Sequence, residues 1–195
     1  MSRGLGDVYK RQLLGAGNGL IHAFEQSASE RAMNSIKIFP GWTSKSYDGL
    51  KEGRRIRLDN KDLNPTNKNF PDHVIKAGAT VYQGGVNLSF GPEYVNLNLS
   101  GVYPNHTEVE VVKLFKGRFI NEIDIKERRK VIVLHKKTAE ILFDKTHTDP
   151  IGQFVNAGNV VYQVVGLYND KGDSGDSDAY LPFTTLQTIY NKGDK

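Results

Sequence analysis

The residues whose spacing suggests chemistry lie toward the two ends of the chain. Near the start, Gly15-Ala-Gly17-Asn-Gly19 invites a dinucleotide reading, in which closely spaced glycines let backbone approach a pyrophosphate. That fingerprint needs a glycine at position 20, where Leu20 stands, and a strand ahead of it, so the motif fails. Small residues near the end of a membrane helix, where they allow close helix approach, account for it better. Near the other end, Asn169-Asp170-Lys171-Gly172-Asp173-Ser174-Gly175-Asp176-Ser177-Asp178 offers several oxygens to a hard cation such as calcium. It lacks EF-hand spacing and the bidentate glutamate, and Lys171 sits inside it. A solvated hairpin tip that touches a partner is the better reading.

The remaining reactive side chains are scattered. His22, His73, His106, His135 and His147 show no ligand spacing such as i, i+4, which argues against a metallohydrolase. His135 ends an apolar strand and reads as a surface or packing residue. The absence of cysteine removes disulfides, thiolate nucleophiles and zinc ribbons together. No Gly-x-Ser-x-Gly elbow supports a serine nucleophile. Glu122 and Asp124 read as a strand-entry turn after Gly117 and not as a glycosidase pair. Lys126-Glu-Arg-Arg-Lys130 could hold phosphate or lipid head groups, but reads as the solvated flank of the strand behind it. No catalytic, cofactor-binding or metal-ligating residue is assigned, and the chain is expected not to be an enzyme.

Composition agrees with a folded, water-facing protein: 38% of the 195 residues are apolar and 25% charged, so bulk disorder is excluded. The net charge of +4 is mild, with basic residues spread from Lys37 to Lys195. A nucleic-acid binder concentrates them on one face with aromatics between, so no nucleic-acid partner is expected. A basic lean does suit a domain held near an anionic membrane surface.

Residues 1–12, MSRGLGDVYKRQ, read as a non-native leader and are set outside the fold. Leu13 to Phe24 is a mostly apolar run, too short to span a bilayer alone and a poor signal peptide, and reads as the outer end of a transmembrane helix. Leu20, Phe24, Ala28 and Ala32 recur every fourth residue, predicting one stalk helix from Leu13 to Met33. Ser35 to Phe39 and Arg54 to Leu58 read as strands, and Asn60 to Asp72 as a loop or short helix. The clearest local signal is Val86-Asn-Leu-Ser-Phe90 and Val95-Asn-Leu-Asn-Leu99, which alternate strictly around Gly91-Pro92. They predict a long hairpin in an antiparallel sheet backed by helices on one side. Thr107 and Glu110 suggest a capping box opening a helix that ends at Gly117, with Val109, Val112 and Phe115 packed on the hairpin. Val131 to Leu134 predicts a strand and Thr138 to Phe143 a short helix. Phe154 to Asn156 and Val160 to Tyr168 flank a tight turn, Ala179 to Leu181 closes a last strand at Pro182, and Thr184 to Tyr190 reads as helix.

Seven pieces in serial order carry a likeness: Gly15-Ala-Gly-Asn-Gly-Leu20, Gly117-Arg-Phe119, Arg128-Arg-Lys-Val-Ile-Val-Leu134, Ala139-Glu-Ile-Leu-Phe143, Asp149-Pro-Ile-Gly152, Val164-Val-Gly166 and Tyr180-Leu-Pro182. Together they resemble the extracytoplasmic core domain of MacB/FtsX-type ABC transporter permeases, here as a fragment. The resemblance implies an α+β fold. An N-terminal stalk helix (13–33) leads to a first βαβ-type lobe (34–125) holding the hairpin, then a smaller β-rich lobe (126–182) and a truncated return to the first (183–195). It implies one membrane helix before the domain and three after it, an inner-membrane location with this segment in the periplasm, and an unpaired sheet edge where C-terminal strands are missing. The implied partners are a cytoplasmic ATPase subunit, a second permease copy or paralogue, and a periplasmic adaptor or substrate protein. The implied work is mechanical: ATP-driven movement of membrane helices is passed through the stalk to the domain. A secreted or periplasmic binding module without catalysis is the alternative.

Overall fold

The structure, a computed structural model, describes residues 12, 16–18, 20–21, 35–63, 76–110, 112–169 and 179–193. The chain forms two compact units. In the first, Met1–Lys37 with Glu108–Val111, the described residues 12, 16–18 and 20–21 are helical and Lys37 is ion-paired with Glu110. The predicted stalk over 13–33 lies largely outside the described residues, as does the Asp/Gly loop beyond Asn169. Among the described residues no helix is long and apolar enough to cross a membrane.

The second unit, Ile38–Thr107 with Val112–Lys195, holds the sheet and the core. Its strands are β1 (Thr80–Phe90), β2 (Glu93–Val102), β3 (Lys113–Gly117), β4 (Val131–His135), β5 (Phe154–Ala157), β6 (Val160–Asn169) and β7 (Ala179–Pro182). Among the described residues they are accompanied by the short helices α1 (His106–Val109), α2 (Glu122–Glu127), α3 (Lys136–Phe143) and α4 (Phe183–Ile189). The order across the sheet is β3-β6-β4-β7-β2-β1-β5, and β5 pairs β6 as well as β1. Six strands therefore close on themselves, because the long β6 pairs β5 with its first half and β3 with its last. Strands from both 34–125 and 126–182 share this one sheet.

The predicted hairpin is β1 and β2, joined by Gly91-Pro92 with Phe90 opposite Glu93. Gly91 has φ +56, the positive value that the first position of a II′ turn requires. Alternation puts Leu88, Leu97 and Leu99 into the main core while Asn87 and Asn96 meet on the wet side at 2.7 Å. The β5–β6 hairpin follows its prediction too, one residue longer, with Ala157 opposite Val160.

The sheet is mixed, where an antiparallel one backed on one side was expected. β2 runs parallel to β7 and β4 parallel to β6. The reason is legible in β4, whose Val-Ile-Val-Leu-His is buried at every position: Ile132 and Leu134 enter the main core and Val133 a second cluster on the other face. A strand apolar on both sides needs cover on both. On the first face α3 supplies Ala139, Leu142 and Phe143, with Leu186 from α4. On the second, Phe119, Ile120 and Tyr168 pack with Val102 and Val133.

The helix expected from Thr107 to Gly117 is overturned. α1 is four residues long, and Lys113–Gly117 is strand β3, antiparallel to β6. Thr107 donates to the Pro104 carbonyl at 3.4 Å instead of capping, and Glu110 is taken by Lys37. Val-Lys-Leu-Phe has ordinary strand composition, so an available partner edge on β6 decides the matter. Phe115 is consequently exposed, with the Lys136 ammonium 4.9 Å from its ring centroid, and does not pack on the hairpin. β3 lies at the rim of the sheet with all five residues exposed, where Lys113 and Lys116 discourage further pairing. The strand predicted at 35–39 is irregular, and of 54–58 only Arg55 is bridged, opposite Trp42. Residues 60–63 are helical.

Candidate functional site

Three of the sequence pieces, Gly117-Arg-Phe119, Asp149-Pro-Ile-Gly152 and Val164-Val-Gly166, meet at one junction beside the middle of β6. The chain leaving β3 crosses β6 so closely that no side chain fits between. A Cβ on Gly166 would lie 2.1 Å from the Arg118 carbonyl oxygen, and one on Gly117 2.3 Å from that of Val165. Gly117 also has φ +76, outside the range that L-residues favour. The crossing is sealed by the Arg118 N–H donating to the Val165 carbonyl at 2.9 Å.

The Asp149-Pro-Ile-Gly152 turn locks onto the same strand. Gly152 N–H donates to the Val164 carbonyl and Val164 N–H to the Gln153 carbonyl, both at 2.8 Å. Asp149 Oδ1 accepts from Ile151 N–H at 3.1 Å, and its Oδ2 takes Lys116 Nζ from β3 at 2.7 Å. The Lys116 hydrogen bond first, and the Ile151 amide after it, hold the Asp149 carboxyl below its ordinary range. Between these segments lies a groove of about 420 Å³, lined by Gly117, Arg118, Ile151, Gly152 and Gln163 to Val165.

Glu122 and Asp124 are not in a turn, as expected, but open α2. Asn121 caps it: its Oδ1 accepts from Asp124 N–H at 2.9 Å while Asp124 Oδ2 accepts from Asn121 N–H at 3.0 Å. Asp124 is fully buried and is gripped by Arg118 through two bonds, Nη1 to Oδ2 at 2.6 Å and Nη2 to Oδ1 at 3.1 Å. Arg118 Nη1 also donates to the Phe119 carbonyl, so one guanidinium ties the crossing to the helix. A fork-shaped donor on a carboxylate has strong directionality. Sequence reading missed this pair; the Asn-x-x-Asp spacing at 121–124 was the available signal. The 126–130 cluster lies at the end of α2, where Arg128 takes a left-handed cap and Arg129 binds Glu127 at 2.8 Å. Thr184 and Thr185 of α4 donate to the Ile125 and Arg129 carbonyls at 2.6 and 3.0 Å, bracing α2 against α4.

His135 is buried, and its Nδ1 accepts from Lys137 N–H at 3.2 Å, capping α3. Its ring stands edge-on to Tyr168, which stacks on Tyr180, which in turn meets Phe119 and His106. His147 takes a left-handed cap after a short 3₁₀ turn, and His22 and His73 lie outside the described residues. Among the described residues no group of three or more His, Asp or Glu could hold a metal. What the motif residues do in common is fix backbone to backbone.

Residues 13–194 match the family described as the MacB-like periplasmic core domain. Among curated proteins the chain is 24% identical over 181 residues to the macrolide export ATP-binding/permease protein MacB of Bartonella henselae, covering 91% of this chain and 26% of that protein. It is 26% identical over 190 residues to the MacB of Rhodopseudomonas palustris (strain BisB18), covering 95% and 26%. The chain thus spans about a quarter of the length of these relatives. Among solved structures, the periplasmic region of MacB from Actinobacillus actinomycetemcomitans has the same fold, with TM-score 0.62 at 23% identity over 71% of this chain and 61% of that one. The extracellular domain of the noncanonic ABC-type transporter YknZ from Gram-positive bacteria aligns with TM-score 0.59 at 25% identity, covering 69% and 67%. The mixed α+β sheet, the order of the motifs and the match over almost the whole length agree, and the chain belongs to the family of MacB-like periplasmic core domains.

Proposed function

We propose that this domain is the non-catalytic, extracytoplasmic part of an inner-membrane ABC-type permease, and that it passes on movement generated by a cytoplasmic ATPase. The observation that supports this reading most is the junction at Gly117 and Gly166. The motif residues there are spent on backbone crossings with no room for a methyl group, on a paired buried carboxylate and on helix caps. None of that is needed to bind a small molecule; all of it stiffens. Close-packed interiors transmit strain instead of absorbing it, and six strands closed on themselves resist bending more than an open sheet of the same width. Export or signalling, and a second permease copy or a periplasmic adaptor, are part of the same proposal and rest on the family likeness, not on any side chain.

The intact reading frame tests the proposal cheaply. It should encode an apolar continuation before Leu13 and three bilayer-crossing segments after Lys195. A short basic start with a cleavage site, and no later span, would favour a secreted binding module and overturn the permease.

A further inference from the structure

Residues 41–56 form a hairpin outside the main sheet. Thr43 N–H donates to the Arg54 carbonyl, and Gly53 and Ile56 N–H donate to the Thr43 and Gly41 carbonyls, all at 2.8 Å. Trp42 stands opposite Arg55 and Tyr47 opposite Leu50, and both turn residues, Asp48 and Gly49, have positive φ, as a type I′ turn demands. The hairpin is therefore well formed, yet it buries almost nothing. Trp42 is 70% exposed and Tyr47 80%, with Phe39, Leu50 and Ile56 also open to solvent. Interleaved with them are Lys45, Lys51, Arg54, Arg55 and Arg57, against Asp48 and Glu52 only. None of those five cations is ion-paired among the described residues, and the segment 38–58 has a net charge of +3.

We propose that this arm, residues 38–58, docks on an anionic phospholipid surface. Tryptophan and tyrosine are favoured at the boundary between head groups and acyl chains, where one end of the ring is wet and the other apolar. Each nearby lysine or arginine adds electrostatic attraction to an anionic leaflet. A second copy of the chain is a poor occupant, because it would bring two arms of the same sign together. A folded acidic protein would need a shaped apolar recess on the arm, and a two-stranded ribbon exposed on both faces has none. The inference rests on the proposal that the domain stands beside a bilayer.

Trp42 is the chain's single tryptophan, so its emission reports on the arm alone. The whole 195-residue chain is titrated with vesicles of phosphatidylcholine, and with vesicles of phosphatidylcholine and phosphatidylglycerol in equal parts. The expected result is a blue shift of Trp42 with the mixed vesicles only, reversed by salt. A Lys51→Ala/Arg57→Ala double variant, with unchanged thermal midpoint, should bind about 30-fold more weakly. Sedimentation with vesicles without a shift in Trp42 emission would mean that another part of the chain binds instead, and overturns the proposal. So does equal binding by the double variant, an equal shift with polyglutamate alone, or a shift on concentrating the chain without lipid. Any of these leaves the permease reading standing, since that reading is judged by the reading frame and by export.

Discussion

Gly166→Ala is expected to abolish cooperative folding of the domain. The added methyl would sit 2.1 Å from the Arg118 carbonyl oxygen, which is backbone and cannot swing aside. Relief requires β6 to move away from the crossing. That breaks the Arg118 to Val165 hydrogen bond and disturbs a strand paired to β3, β4 and β5 at once. The cost should exceed about 4 kcal/mol, among the largest seen for one substitution, against a total stability of about 5–15 kcal/mol. Urea unfolding followed by near-ultraviolet circular dichroism should show no sharp transition. Gly158→Ala is the control: its φ is +60, but a Cβ there meets nothing within 4 Å, so only about 1–2 kcal/mol of backbone strain is expected. Equal, small losses for both would mean that the crossing is loose.

Arg118→Met should have the next largest effect. It removes the closest cation from a carboxylate that is fully buried, leaving the Asn121 amide as a close donor and Arg129 Nη1 at 4.0 Å. Breaking a buried pair by deleting one partner costs about 3–5 kcal/mol; because Arg118 is itself half exposed, about 3 kcal/mol is the expected loss in the urea midpoint. The Arg118→Met/Asp124→Leu double variant should recover part of it, because no charge then stays buried unpaired. A double variant whose loss equals the sum of its two single losses would show that Asp124 acts only through the helix cap.

These two residues mark the boundary of what was legible. The β5–β6 hairpin, β4, α3, β7 and α4 could be read within a residue or two, and the turn of the β1–β2 hairpin was placed, because strict alternation and two-residue turns act locally; β1 nonetheless starts six residues before Val86 and β2 runs three past Leu99. β3 could not. Val112 to Gly117 is neutral between helix and strand, and its partner on β6 lies some fifty residues further on, so a tertiary edge overrode a local guess. The closure of β5 onto β1 is equally non-local, resting on two residue pairs that no periodicity announces. Asp124 read as part of a strand-entry turn and Arg118 only as one residue of Gly117-Arg-Phe119; the fold alone shows that one is buried beneath the other. The glycines of Gly117-Arg-Phe119 and Val164-Val-Gly166 stood out in the sequence as pieces in order, but their common purpose, a single crossing point, exists only in three dimensions.

Stiffness along the path from membrane to domain is the central claim, and the full-length permease tests it through Ala28→Pro. Ala28 lies in the helix read from the sequence between the membrane end and the domain, and proline there would interrupt that helix. The measurement is export set beside assembly and ATP hydrolysis in the same preparation. The account predicts that the complex assembles and hydrolyses ATP while export is lost; export at the unmodified rate would contradict it.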